Sequence, residues 1–195
     1  MQRRCFLFAL LLVVSVSSGC SINHHIANYY NQYLINNRGN SNLPKTDFET
    51  DYHLTNYTRE NAYEFRSATV GYANLWIVDF SKILEETLQS YDIQHAFGRL
   101  GQAQGDLNSI ENLILFDLQD YSFHDFGAHI SLRIALFQFG DKALDKTYTA
   151  DGRTQGGKMF WAGVFGMKNA IHQSTKMALD EIFADFINDI RKKNL

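Results

Sequence analysis

Leu113-Ile114-Leu115-Phe116-Asp117-Leu118-Gln119-Asp120-Tyr121-Ser122-Phe123 and, after four intervening residues, Ala128-His129-Ile130-Ser131-Leu132-Arg133-Ile134-Ala135-Leu136-Phe137-Gln138-Phe139 decide the fold class. In the second stretch Ile130, Leu132, Ile134 and Leu136 alternate with His129, Ser131, Arg133 and Ala135, the period-two pattern of a half-buried strand. The first stretch alternates in two phases, Ile114, Phe116 and Leu118 in one, Tyr121 and Phe123 in the other. A slip of one residue would turn the face over, so a bulge is expected near Gln119-Asp120. His124-Asp125-Phe126-Gly127 reads as the turn between them, and Gly140-Asp141-Lys142 leads into a third strand over Leu144 to Ala150. Three antiparallel strands joined by short turns form a meander.

Helical spacing flanks the meander on both sides. From Asn74 to Tyr91 the apolar positions Trp76, Phe80, Ile83, Leu84, Leu88 and Tyr91 fit one face of a helix. A second helix is expected from Lys168 to Lys192, with Leu179, Ile182, Phe183, Phe186, Ile187 and Ile190 on its core face and Arg191, Lys192 and Lys193 at its C-terminal end, where cations suit the helix dipole. Tyr63 to Arg66 reads as a short strand, and the glycines between His95 and Ser109 as a connection. The pattern predicts an α+β domain over residues 63–195, a small antiparallel sheet with two helices packed on one face.

The N-terminal part reads differently. Arg3 and Arg4 precede an apolar run from Phe6 to Val14 that ends in Ser17-Ser18-Gly19-Cys20. The run is shorter than the roughly 20 residues of a spanning helix, and small residues ahead of a cysteine match a bacterial lipoprotein signal over residues 1–19, with Cys20 as the lipidated residue. The only other cysteine, Cys5, falls within the signal, so no disulfide is expected in the mature chain. Removing 19 of 195 residues leaves 176, with 16 basic against 21 acidic side chains and a net charge of −5, which argues against nucleic acid binding. Ser21 after the cysteine points to sorting to the outer membrane, facing the periplasm. Asn28 to Ile35 reads as an edge strand or part of a tether. Asn36 to Asn61, polar and holding the one proline, Pro44, reads as linker. Residues 20–62 are therefore expected to be a lipidated tether.

Candidate chemistry is sparse. Gly152-Arg153-Thr154-Gln155-Gly156-Gly157-Lys158 lacks the hydroxyl that a phosphate loop needs next, Met159 standing in its place, so the glycines read as loop formers. His24-His25 reads as solvated tether rather than a metal site. His124, Asp125, His129 and Ser122 or Ser131 could be drawn as a catalytic set, but surface roles account for them better. Asp117 and Asp120 read as solvated rather than as a carboxylate pair. No cofactor, metal ligand or catalytic residue is assigned, and the chain is read as a non-enzyme. Phe160, Trp161 and Phe165, apolar with no charge until Lys168, are the candidate contact residues for acyl chains, a membrane surface or a partner. Trp76 is a further candidate contact, with burial as the simpler account.

With Asn74-Leu75-Trp76, Phe80, Leu84, Thr87 and Leu88, together with Tyr29-Tyr30 soon after the cysteine and Tyr63 in a strand, the chain resembles the lipoproteins that serve as auxiliary components of ABC-type envelope lipid transporters, typified by the third protein of the paraquat-inducible operon. Ile130 to Phe139 and Gln173 to Ile190 follow in the same order. Asp79 stands where that family often has proline. The resemblance implies an outer-membrane lipoprotein that acts as an accessory component of an intermembrane lipid transport system, binding an MCE-domain protein and ABC transporter components without catalysis of its own, and is compatible with a homo-oligomer. A domain on a polar tether would reach out from the membrane to such a partner. The alternatives are a structural or assembly lipoprotein of another envelope machine and, less favoured, a periplasmic hydrolase.

Overall fold

The computed structural model of the protein describes residues 21–154 and 161–193. Its elements in chain order are β1 (Ile22–His25), a 3₁₀ turn (Ile26–Tyr29), α1 (Tyr30–Asn36), β2 (Glu49–Leu54), α2 (Asn56–Glu60) and β3 (Ala62–Arg66). After a second 3₁₀ turn (Ala68–Val70) come β4 (Asn74–Asp79), α3 (Phe80–Leu88), α4 (Tyr91–Ala96) and β5 (Arg99–Gln102). A third 3₁₀ turn (Leu107–Ser109) leads to the long hairpin strands β6 (Asn112–His124), β7 (Gly127–Gln138) and β8 (Asp141–Arg153), and α5 (Gly163–Lys193) closes the fold. The class is α+β, as the patterning predicts. The sheets are larger than the meander alone: a five-stranded sheet in the order β5-β2-β6-β7-β8 and a three-stranded one in the order β1-β4-β3.

The meander forms in the expected register. The pairing of β6 with β7 shifts between Leu118 and Asp120, and this bulge answers the phase change in the sequence. Because it inserts one residue, Tyr121 and Phe123 stay on the same buried side as Ile114, Phe116 and Leu118. The Tyr121 hydroxyl then lies 2.9 Å from Thr175 Oγ1 on α5. Asp125 and Phe126, both at positive φ, make the two-residue hairpin turn.

Helix α5 lies across β7 and β8 and buries its stripe against the five-stranded sheet. Phe183 meets Phe116 edge-on at 5.9 Å and Phe186 meets Tyr148 at 6.0 Å. The three-stranded sheet is joined to the same core by Tyr63 against Tyr121 and Phe65 against Phe123, with centroids 5.4 and 5.2 Å apart. Gly152, expected in a loop, belongs to β8, and a Cβ there would run into the Ser174 carbonyl of α5. Glycine is required because the helix backbone comes down directly onto the strand.

Four expectations are overturned. Asn74 to Asp79 is strand, not helix. Its burial alternates strictly, and Trp76 falls four residues before Phe80, a spacing that suits either period. The helix begins only at Phe80, capped by Asp79, whose Oδ1 accepts from the Lys82 amide at 3.1 Å.

The polar segment 36–61 holds β2, which sits between β5 and β6 and pairs parallel with both. Thr50, Tyr52 and Leu54 face inward, and Thr50 donates its buried hydroxyl to the Asn112 carbonyl at 3.0 Å. The parallel partner β5 lies within the stretch read as a glycine-rich connection. Residues 28–35 are helical rather than extended, with Tyr30 and Leu34 buried one turn apart. The loop after α1 is fixed by a cluster in which Lys176 Nζ contacts Asp180 Oδ2 at 2.6 Å and Ser41 Oγ, while Ser41 Oγ lies 2.9 Å from Asp92 Oδ2. Residues 22–62 therefore build both sheets and part of the core in place of a tether.

Candidate functional site

Gly163, at φ +58°, turns the chain into α5. The side chains of Trp161, just ahead of it, and of Phe165, in the first helical turn, are left 86% and 81% exposed. Val164, between them, rests against the core. Phe165 and Lys168 are three residues apart and share a side of the helix. Lys168 Nζ stands 3.1 Å from the centroid of the exposed Tyr29 ring, a cation–π contact, and partial burial there pushes the Lys168 pKa down.

The start of α5 lies at the end of the fold where β1 begins. It rests against the turn Ala68–Val70, and Met167 lines a hollow of about 220 Å³ together with Arg66, Ser67 and Thr69. Arg66 reaches outward from the same place. Its Nη1 donates to the Tyr72 carbonyl at 2.6 Å and its Nη2 to Ser21 Oγ at 2.9 Å. The Ile22 amide donates to the Ala73 carbonyl at 2.9 Å. Ile22 and Tyr72 are exposed at 54% and 69%. Sequence reading singled out Trp161 and Phe165 but passed over Ile22, Arg66 and Tyr72. Their proximity comes from the parallel pairing of β1 with β4, which no local pattern announces.

Of the other expected contact residues, Trp76 is fully buried. It lies between the ring of His24, stacked at 4.5 Å, and that of Phe65 at 6.4 Å. Trp76 is thus a core residue, and the contact reading is withdrawn because strand β4 turns its ring inward. His24 is not part of a solvated tether either: it belongs to β1, and its Nε2 lies 2.8 Å from Asn74 Oδ1. Cys20 and Phe160 fall outside the described residues.

No family model and no curated protein matches the chain. Solved structures similar to the chain include two of uncharacterised proteins. One is protein XCC0632 from Xanthomonas campestris, of family DUF330, with a TM-score of 0.46 and 10% identity over 78% of this chain and 89% of that one. The other is the hypothetical protein CT253 from Chlamydia trachomatis, with a TM-score of 0.41 and 9% identity over 74% of this chain and 96% of that one.

The histidines and serines of the meander are brought together differently from the sequence drawing. Ser122, His129 and Asp151 stand in one row across β6, β7 and β8, and His129 Nδ1 lies 2.7 Å from Asp151 Oδ1. Ser131 instead receives a hydrogen bond from Thr149 at 3.2 Å. The row is on the outer face of the sheet, where both members of the His129 and Asp151 pair are open to water, and an exposed pair of this kind gains little. Asp117 accepts from Thr55 Oγ1 and Gln119 Nε2, each at 2.9 Å, so it is a structural acceptor rather than half of a carboxylate pair. Among the described residues no group of three His, Cys, Asp or Glu is placed to hold a metal ion, and no helix is long and apolar enough to cross a membrane.

Proposed function

We propose that the protein is a non-enzymatic accessory lipoprotein of the outer membrane, facing the periplasm and working with an ABC-type, MCE-dependent system that moves lipids between membranes. The observation that carries this reading is the apolar run closed by Ser17-Ser18-Gly19-Cys20 one residue before an ordered α+β fold. The sequence resemblance supplies the partner. Exposed Trp161 and Phe165 are suited to binding, since aromatic rings bury much apolar area with little loss of side-chain freedom.

The test is crosslinking and recovery of the protein from intact cells, with the native chain beside Cys20→Ala. Recovery of an MCE-domain protein, weakened in Cys20→Ala, is the expected result. Recovery of other envelope components in its place would move the protein to a structural or assembly role. A lipid transport defect cured equally well by Cys20→Ala would remove the anchor from the account.

A further inference from the structure

We infer that the end of the fold bearing Ile22, Tyr72, Trp161 and Phe165 lies directly on the lipid bilayer, so that the domain is seated on the membrane rather than held away from it. The inference rests on the anchoring of Cys20 proposed above, and adds where the domain must then be. Consecutive Cα atoms are 3.8 Å apart, so an acylated Cys20 would stand within about 7 Å of Ile22, the first residue of β1. Ser21 between them is already held by Arg66. The length of chain between lipid and fold thus leaves no slack for a tether, and whatever surrounds Ser21 meets the headgroups.

What surrounds it suits that position. Ile22 and Tyr72 flank the exit of the chain, and Trp161 and Phe165 project from the start of α5 at the same end. Trp and Tyr favour the headgroup level of a bilayer, where an apolar ring and a polar atom can each find their medium. Apolar side chains entering the acyl boundary add buried apolar area to that of the lipid anchor. Arg66 and Lys168 supply positive charge beside these rings and can approach anionic headgroups while their stems cover apolar surface.

The two tryptophans make the test direct, because Trp76 is buried and Trp161 is exposed. The full-length protein, processed in cells and purified from membranes, is reconstituted in vesicles of phosphatidylethanolamine and phosphatidylglycerol with or without brominated acyl chains. Mass analysis of the N-terminal peptide reports separately whether Cys20 carries lipid. The expected result is quenching of tryptophan emission by the brominated lipid, lost in Trp161→Phe and weakened in Phe165→Asp. Lipid on Cys20 with emission indifferent to bromine would overturn the inference while leaving the anchor in place. Quenching with no lipid on Cys20 would uphold the seating and overturn the anchor. Quenching that persists in Trp161→Phe would overturn the seating.

Discussion

His172 on α5 donates its Nε2 hydrogen to the carbonyl oxygen of Ile26, 3.0 Å away and 146 residues earlier in the chain. The bond fixes the long helix to the turn that follows β1, and the imidazole is framed by Tyr30 at 5.5 Å and Tyr33 at 5.4 Å. A segment near the start of the fold and the C-terminal helix are joined at this point.

Burial holds the His172 pKa below its ordinary value; the Ile26 carbonyl opposes that shift and nearby Lys168 adds to it. The unfolded chain therefore takes up the proton first. The stability tied to the neutral ring is complete above the unfolded value of about 6.5 and is lost as pH falls toward the folded pKa. Urea midpoints measured between pH 7.5 and pH 5 should fall, and His172→Gln should flatten that dependence.

Lys176 is the cation of a buried cluster with Asp180 at 2.6 Å and Asp92 at 3.7 Å. Lys176→Ala leaves two carboxylates without it and should cost roughly 3–5 kcal/mol in denaturant unfolding. Burial already raises the Asp180 pKa, with Lys176 opposing. A raised folded pKa means that the protonated form favours folding, and that this contribution is lost as pH rises through the folded value. The Lys176→Ala defect should therefore be smaller in mild acid than at neutral pH.

Trp76 fills the space between His24 and Phe65, and Trp76→Ala should destabilise the fold by roughly 3–5 kcal/mol. Phe165→Ala, at an exposed position, should change unfolding by no more than about 0.5 kcal/mol. Chemical denaturation of the two variants side by side separates a core role from a contact role for these residues.

Gly152→Ala places a methyl against the Ser174 carbonyl. Overfilling of this kind costs about 1–3 kcal/mol or more, and here the obstacle is helix backbone that cannot rotate aside. A lowered thermal midpoint is the expected measurement, with loss of the near-ultraviolet circular dichroism signal of the aromatic core at a lower temperature.

His129→Ala removes one half of an exposed pair and should leave stability within about 0.5 kcal/mol and, on the function proposed above, the cellular phenotype of the native protein unchanged. Loss of function in a folded His129→Ala protein would bring the row of Ser122, His129 and Asp151 back as a hydrolytic site.

The legible elements share one property: each repeats its own period over enough residues to exclude the other. Strand β7 and helix α5 are of this kind, and even the bulge in β6 was written in the sequence as a change of phase. Strand β2 was not, because Thr50 alternating with Tyr52 and Leu54 is a short signal within a polar stretch, and a hydroxyl counted as solvent-facing is buried against Asn112. Strand β4 was hidden because Trp76 and Phe80 fit both periods. At the proposed contact surface, Trp161 and Phe165 were legible as an apolar run, whereas Ile22, Arg66 and Tyr72 join them only through pairing between β1 and β4.

By itself the sequence determined the α+β class, the meander with its bulge and the long C-terminal helix, because these depend on side-chain periodicity within one segment. The tertiary structure decided that residues 22–62 are part of the fold and that Trp76 is interior. It also decided which exposed residues share an end with Ser21. Those are facts about parallel pairing and helix contact between segments far apart in the chain, where a short strand is stabilised by neighbours rather than by its own pattern.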